Sequence, residues 1–380
     1  MRARWIAVAA GAAVIAAGVV VAAWPGDEAH ADPEVEISRS SCGTGWSDPR
    51  PGPQVFQLHN TGSVTAEVDL VDPATGVIYG EVEGLSAGTT RPMQVTLANG
   101  DYAFRCLPED TPAITGPKVT VTGGATRSPG VAPVTRNDLL GPLKTYEQKT
   151  QEGLNGLAGQ TAALKDAVHS GNRDAAKTAW LTAYLAYERL GAAYDAFGDF
   201  DGSINGTADG LPGGTADEGF TGFHRVEAGL WHNEDMAALA PVADQLDADA
   251  RKLRDTFADS QIDGNDLGLR AHEIMENTLQ FELTGHTDYG SGSTLATTKA
   301  NLDGTQAVLD VLRPLLTPRY PALPTVDKWI TRTRSDVDKA GAVPVAQLDP
   351  KTRQRLNADV SQLCELLAPI AAIAEPRRVS

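Results

Sequence analysis

The chain has 380 residues, more than one hydrophobic core usually organises, so two domains are expected. Its 49 acidic and 32 basic residues give a formal net charge of -17, which repels nucleic acid and anionic lipid and attracts cations. A metal ion or a basic partner is therefore a better candidate ligand than DNA. Acidity also keeps exported proteins soluble, so charge alone does not identify a ligand.

The N-terminal residues 1–31 have the pattern of an export signal. Arg2 and Arg4 precede an apolar run from Trp5 to Trp24, and small residues follow it. This pattern predicts a signal peptide cleaved after Ala31. The apolar run is also long enough to cross a bilayer, so an uncleaved membrane anchor is the alternative. In both cases the remainder of the chain is expected to be extracytoplasmic, either periplasmic or at the cell surface.

Residues 32–122 are predicted to form a small β-sandwich. Short runs with period-two alternation recur between Gly and Pro residues. These runs are QVFQLHN (54–60), TAEVDLVD (65–72), MQVTL (93–97), DYAFRC (101–106) and KVTVTG (118–123). Cys42 and Cys106 both lie in this region, whereas Cys364 lies near the C-terminus. In an oxidising compartment Cys42 and Cys106 are the natural pair for a disulfide.

The composition changes after the β-region. Residues 123–136 have the Gly, Pro, Ser and Thr content of a linker and end in a helix-capping signal. Residues 137–380 have helical periodicity and are predicted to form an all-α bundle. The predicted helices cover residues 138–169, 173–197, 222–231, 236–258, 266–283, 294–316, 323–340 and 350–373. The irregular segment 198–222 is long for a loop in a compact domain, which is typical of functional loops.

Candidate metal ligands occur in the peptide GFHRVEAGLW, which contains His224 and Glu227. Residues three apart on a helix project from one face, and an imidazole with a carboxylate can bind a divalent or ferric ion. Glu188 lies on an aromatic stripe that is expected to face the core, where a carboxylate needs a cation. The alternatives are an ordinary surface pair for the first two residues and, for Glu188, a salt bridge to Arg189 or Arg225.

The peptide GFHRVEAGLW also matches the H-x-x-E signature of imelysin-like proteins, and the chain resembles the EfeO-type members of that family. The preceding stretches YERL and DFDGSI and the later NLDGTQAVLDVLRPLL extend the resemblance over residues 137–375. Cys42, Glu67, the pair Glu81 and Glu83, and the peptide NGDYAFRC resemble the family's small N-terminal domain. The resemblance implies a multidomain α+β protein, in which a cupredoxin-like β-sandwich precedes an all-α imelysin-like bundle.

The resemblance also implies a function. EfeO-type proteins are extracytoplasmic iron-binding components of EfeUOB-type iron-uptake systems, acting with an EfeU-type iron permease and an EfeB-type haem peroxidase. His224 and Glu227 are then expected to be metal ligands, with Glu188 as the third. The expected ion is iron, as Fe²⁺ or Fe³⁺, with copper or zinc as alternatives.

Two further groups of residues are weaker candidates. His272, Glu273 and Glu276 lie on a later helix and are expected to be solvated polar residues rather than ligands. In the β-region, four residues form a second candidate site for copper or ferric iron: Cys42, Glu67, Glu81 and Cys106. A plain disulfide between the two cysteines is the competing prediction.

The rival functional class is a metal-dependent peptidase. H-x-x-E is also the first half of a carboxypeptidase-type zinc site, which needs a third ligand downstream and a general base. The only histidines after His232 are His272 and His286, and neither occurs in the strand context that such enzymes provide. The sequence therefore favours a non-enzymatic metal-binding transport protein, whereas a purely structural module would bind no metal.

Overall fold

The computed structural model describes residues 34–47, 49–109 and 111–379. The predicted signal peptide or anchor lies outside these residues. Strands run from Glu34 to Val121, and helices run from Arg136 to Ala374. This order confirms the predicted fold class, a β-region followed by a helical domain. The cupredoxin-like character of the β-region and the domain limits stay predictions.

The described part of the β-region contains nine strands in two main sheets. The strands are β1 Glu34–Ile37, β2 Cys42–Thr44, β3 Gly52–Asn60, β4 Ala66–Val71, β5 Ile78–Leu85, β6 Thr90–Leu97, β7 Gly100–Pro108, β8 Ile114–Thr115 and β9 Val119–Val121. One sheet has the order β2-β1-β3-β6 and the other β5-β4-β7-β8, while β9 pairs with β7. Strands β1 and β3 are parallel, and the other described pairs are antiparallel.

The core of the β-region lies between these sheets. Alternate residues of β3 point into it, as the period-two pattern predicts, and Phe56 is fully buried. Its ring packs edge-on against Trp46 and Phe104, with ring centroids 5.0 and 5.2 Å away. A disulfide joins Cys42 on β2 to Cys106 on β7 and so connects the two sheets.

The disulfide corrects one prediction of the sequence analysis. A metal site made of Cys42, Glu67, Glu81 and Cys106 is wrong as a four-ligand set, because the two sulfur atoms are bonded to each other and no thiolate remains. The competing prediction of a disulfide between the same cysteines agrees with the structure.

The helical domain is built from ten described α-helices. They are α1 Arg136–His169, α2 Arg173–Glu188, α3 Tyr194–Phe197, α4 Asp199–Asn205, α5 Gly222–Trp231, α6 Met236–Thr256, α7 Gly264–Asn277, α8 Thr294–Leu316, α9 Leu323–Ala340 and α10 Pro350–Ala374. A π-helical turn, Thr278–Glu282, extends α7. α10 is apolar and long enough to span a membrane by composition, but its buried residues pack in the helical core against α7 and α9.

The prediction of one continuous helix over 173–197 is wrong for the residues after Glu188. α2 ends at Glu188, and a 3₁₀ turn leads into α3. Tyr194 folds back so that its ring stacks on Tyr187 at 4.9 Å and its hydroxyl donates to the Tyr187 carbonyl at 3.2 Å. The same carbonyl also accepts the backbone N–H of Leu190 at 2.8 Å. The segment predicted to be irregular over 198–222 also contains a short helix, α4.

The connection between β9 and α1 is anchored at both ends. Val131 pairs with Ile78 of β5, and Val134 pairs with Pro376 after α10. Thr135 then caps α1 through a reciprocal capping box with Asp138. The C-terminal tail that follows α10 thus lies beside the β-region.

Candidate metal centre

The position of α5 is fixed by close contacts at its first turn. Gly222 has a φ of +73°, and a Cβ atom there would lie 2.2 Å from the carbonyl oxygen of Ile204, so this position requires glycine. The indole N–H of Trp180 on α2 donates to the Phe223 carbonyl at 2.9 Å. These contacts hold α5 against α2 and α4, and His224 is consequently 1% exposed.

Glu227 is engaged through both of its carboxylate oxygens. Oε2 lies 3.4 Å from Nδ1 of His224, and Oε1 accepts the backbone N–H groups of Tyr289 and Ser291 at 3.1 and 3.0 Å. Because a carboxylate only accepts, a hydrogen bond between these atoms places the proton on Nδ1 of His224 and leaves Nε2 as the nitrogen that a ligand can use. Glu227 therefore orients the imidazole and also ties the connection between α7 and α8 to α5.

His224 forms part of the wall of a cavity of about 300 Å³. The wall also includes Glu188 at the end of α2 and Glu282 at the end of the π-helical turn, but not Glu227. Asn205 at the end of α4 donates its side-chain N–H to Glu188 at 3.1 Å. The buried amide oxygen of Asn205 has no partner among the described residues, so a polar atom in the cavity, such as a cation, would satisfy it.

Both cavity carboxylates have raised pKa values. Burial, and then the negative charge of Glu282, raise the pKa of Glu188 well above its ordinary value. Burial also raises the pKa of Glu282 to about 7, although the hydroxyl of Thr287, 2.8 Å from Oε1, opposes this shift. Both shifts show that the site favours added positive charge, as a proton or as a metal ion.

Salt bridges do not supply that charge to Glu188. Arg189 instead pairs with Asp303 at 3.1 Å, and Arg225 pairs with Glu234 at 2.8 Å. The sequence-based alternative, a salt bridge from Glu188 to Arg189 or Arg225, thus has no support among the described contacts.

The weaker candidates on α7 have other partners. His272 contacts the carbonyl of Cys364 through Nδ1 at 3.0 Å and Glu276 through Nε2 at 3.2 Å, and neither side chain lines the cavity. Glu273 does line the cavity but is paired with Arg270 at 2.5 Å. The expectation that these residues are not primary ligands is consistent with these contacts.

Glu282 is the cavity residue that the sequence analysis missed. It lies seven residues after the buried Met275, and this spacing places both residues on the same helical face. Glu188 was predicted as a ligand because it is a glutamate on an apolar helical face, and Glu282 has the same pattern in the sequence. The irregular segment 198–222 was expected to be functional, and Asn205 and Asp209 from it line the cavity.

The donor types of the cavity suit a transition-metal ion, although the ligand atoms of Glu188, His224 and Glu282 do not all lie within 4.8 Å of one another in this structure. Two carboxylates and one imidazole combine the oxygen ligands favoured by hard cations with a nitrogen ligand used by iron, zinc and copper. Glu188 comes from α2, His224 from α5 and Glu282 from the turn after α7. Ligands contributed by several facing helices are typical of metal sites in helical bundles.

A separate carboxylate cluster lies on the β-region. One oxygen each of Glu67, Asp69 and Glu81 lies within 4.8 Å of the others. Arg105 donates to Oδ2 of Asp69 at 2.6 and 3.0 Å, and Arg377 from the C-terminal tail donates to Glu81 at 3.2 Å. These guanidinium groups balance part of the negative charge, whereas Oδ1 of Asp69 and Oε1 of Glu81 are buried without a hydrogen-bond partner among the described residues.

Comparison with known proteins agrees with the motif resemblance. A family model described as Imelysin, Peptidase_M75, matches residues 142–370, and the chain belongs to this family. The iron uptake system component EfeO of Yersinia pestis is 28% identical over 335 residues, covering 85% of this chain and 85% of its own. EfeO of Escherichia coli O157:H7 is 28% identical over 336 residues, covering 85% of this chain and 86% of its own.

These alignments extend beyond the helical domain. The helices from Arg136 to Ala374 make up less than two thirds of the chain, so an alignment that covers 85% of it includes much of the β-region. The predicted resemblance to EfeO-type proteins, with a β-region and an imelysin domain in that order, is therefore confirmed.

The β-region cluster predicts how stability depends on pH. Burial, followed by the charges of Asp69 and Glu81, raises the pKa of Glu67 from 4.5 to about 7. Between these values the folded protein binds more protons than the unfolded protein, so the free energy of unfolding falls as pH rises from 4.5 to 7. Glu67→Gln should therefore raise the melting temperature above pH 7 and leave it unchanged near pH 4, as measured by calorimetry.

Glu36→Gln is the matched control, because Glu36 is an exposed glutamate on β1 of the same region. It should not alter the pH profile. A Glu67→Gln protein whose melting temperature keeps the wild-type pH dependence would contradict this account of the cluster.

Proposed function

We propose that this protein is an extracytoplasmic iron-binding component of an iron-uptake system, which holds one ion in the helical cavity and supplies it to a membrane permease. The observation that carries the proposal is that Glu188 and Glu282 are buried in the wall of one cavity with the imidazole of His224, and that neither carboxylate forms a salt bridge with a described lysine or arginine. The names of the EfeO relatives from Yersinia pestis and Escherichia coli support iron as the cargo.

The ligands that we propose are Nε2 of His224 and the carboxylates of Glu188 and Glu282. Glu227 was expected from its motif to be a ligand, but its contacts favour a supporting role. It holds Nδ1 of His224, and its other oxygen accepts two backbone N–H groups. A carboxylate that binds the second nitrogen of a ligating histidine fixes the ring and raises its basicity.

The proposed partners follow from the family resemblance. They are an EfeU-type permease, which would receive the ion, and an EfeB-type haem peroxidase. The proposed ion is Fe²⁺ or Fe³⁺, and the same donors would accept zinc or copper in vitro. The net charge of -17 supports capture of a cation outside the cytoplasm.

Isothermal titration with iron tests the ligand set. His224→Ala, Glu188→Ala and Glu282→Ala should each weaken iron binding by at least about tenfold, because each change removes a donor. Glu227→Gln should weaken binding less than Glu227→Ala, since the amide oxygen can still accept a hydrogen bond from His224.

His272→Ala is the matched control for His224→Ala. His272 is a histidine of the same domain whose contacts lie outside the cavity wall, so its removal should leave the affinity unchanged. Wild-type affinity in both the His224 and the Glu188 variants would refute the ligand set.

The rival proposal, a peptidase, rests on the Peptidase_M75 label of the family model. An extended peptide commonly docks by adding a strand to a sheet edge, and the described residues 136–374 contain no strand. This feature supports a carrier rather than a hydrolase.

Growth and hydrolysis assays distinguish these two functions. A carrier predicts that His224→Ala reproduces the iron-limited growth defect of a gene deletion and that excess iron rescues both, while His272→Ala grows as wild type. Metal-dependent cleavage of a peptide library by the wild-type protein, lost in His224→Ala, would establish the peptidase instead.

A further inference from the structure

The cavity reaches the surface between two irregular connections. One connection runs from α4 to α5 and carries Asp209, and the other runs from the π-helical turn to α8 and carries His286. Both side chains line the cavity, and Nε2 of His286 contacts Oδ2 of Asp209. The side chains are 49% and 60% exposed, so this pair forms the mouth of the cavity.

We propose that His286 and Asp209 form a second, transient metal site, here called the mouth site, through which the ion passes on its way to Glu188, Glu282 and His224. This inference rests on the proposed function of the buried cavity. An imidazole nitrogen and a carboxylate oxygen in direct contact are a two-ligand half-site for a divalent transition metal, and bound water completes its coordination.

The connections around the mouth site hold its two residues in place. The hydroxyl of Tyr289 accepts the backbone N–H of Ala208 at 2.8 Å, and the Tyr289 ring packs on Phe220 with centroids 5.1 Å apart. One connection therefore keeps Asp209 near His286 of the other. A site built between two fixed segments needs little rearrangement when an ion replaces the hydrogen bond.

A continuous set of polar groups leads inward from the mouth site. Thr287, next to His286 in the sequence, donates its hydroxyl to Glu282, and both residues line the cavity. Glu188 lines the same cavity as Glu282. The ion would therefore pass from the mouth site along the Thr287 hydroxyl to the carboxylate of Glu282.

Stopped-flow binding of Co²⁺, used as an air-stable stand-in for Fe²⁺, tests the mouth site. Tryptophan fluorescence reports arrival at the buried site, because Trp180 stacks on Tyr184 at 4.8 Å and Tyr184 lies 5.5 Å from the His224 ring. His286→Gln and Asp209→Asn keep a hydrogen bond across the mouth but remove the imidazole or the carboxylate. Each should slow association by at least about threefold, because each change removes one of the two donors that would hold the ion at the mouth.

The dissociation constant of the variants distinguishes a site that changes only the binding rates from structural damage to the buried site. A transient site lowers the barrier in both directions, so dissociation should slow by the same factor as association and Kd should stay the same. His286→Gln also separates ligation from attraction by charge. Glutamine never makes the mouth more positive than histidine does, so attraction alone would leave the association rate unchanged or increase it.

The chain offers a matched control pair. His169 on α1 and Asp244 on α6 are 2.8 Å apart and 50% and 51% exposed, so they reproduce the chemistry and exposure of the mouth site away from the cavity. His169→Gln and Asp244→Asn should leave the association rate at the wild-type value.

Two results would overturn the mouth site. Association that is unchanged or faster in His286→Gln, with wild-type Kd, would show that the pair only latches the two connections and would leave the buried site intact. A wild-type protein that binds no Co²⁺ and no iron at equilibrium would overturn the buried site and the mouth site together.

Discussion

The burial of two carboxylates that form no salt bridge with a described lysine or arginine is the constraint on which the helical domain depends. Glu188 and Glu282 are 6% and 8% exposed, and they accept side-chain hydrogen bonds from Asn205 and Thr287 respectively. An ionised carboxylate in such a place is costly unless a cation or several hydrogen bonds compensate it. Burial of both carboxylates is therefore favourable only if a proton or a metal ion in the cavity neutralises their charge.

The rest of the domain can be understood as the support of this cavity. Gly222 allows α5 to begin against α4, and Trp180 holds the first turn of α5 by its indole N–H. Glu227 then fixes the ring of His224 and clamps the connection that follows Glu282. Glu227 of the H-x-x-E motif thus contacts both the imidazole of His224 and the backbone after Glu282, although its own side chain does not line the cavity.

Sequence periodicity was sufficient to predict the architecture and the burial of Glu188. The alternating runs and the helical segments indicated a β-region followed by a helical bundle, and the apolar stripe around Glu188 marked that residue as buried. The role of Glu227 could not be deduced from sequence, because the i, i+3 spacing is the same for two ligands as for a ligand and its support. The partners that distinguish the two cases, the N–H groups of Tyr289 and Ser291, lie more than sixty residues away in the chain.

Other features depended on tertiary contacts that periodicity does not report. The break after Glu188 is accompanied by the stacking of Tyr194 on Tyr187, and the contact between His286 and Asp209 joins two connections that have no regular pattern. The acidic cluster of the β-region is balanced by Arg377 from the opposite end of the chain. Long-range contacts of this kind decide which charged groups are paired and which are left for a ligand.

The central claim is that a metal ion occupies the space between Glu188, Glu282 and Nε2 of His224. Anomalous diffraction from iron-loaded crystals, recorded on both sides of the iron absorption edge, tests it most directly. The account predicts one strong peak within about 2.0 to 2.3 Å of that nitrogen and of an oxygen from each carboxylate. A peak bound to Glu227 with His224 turned away, or iron found only outside the cavity, would contradict it.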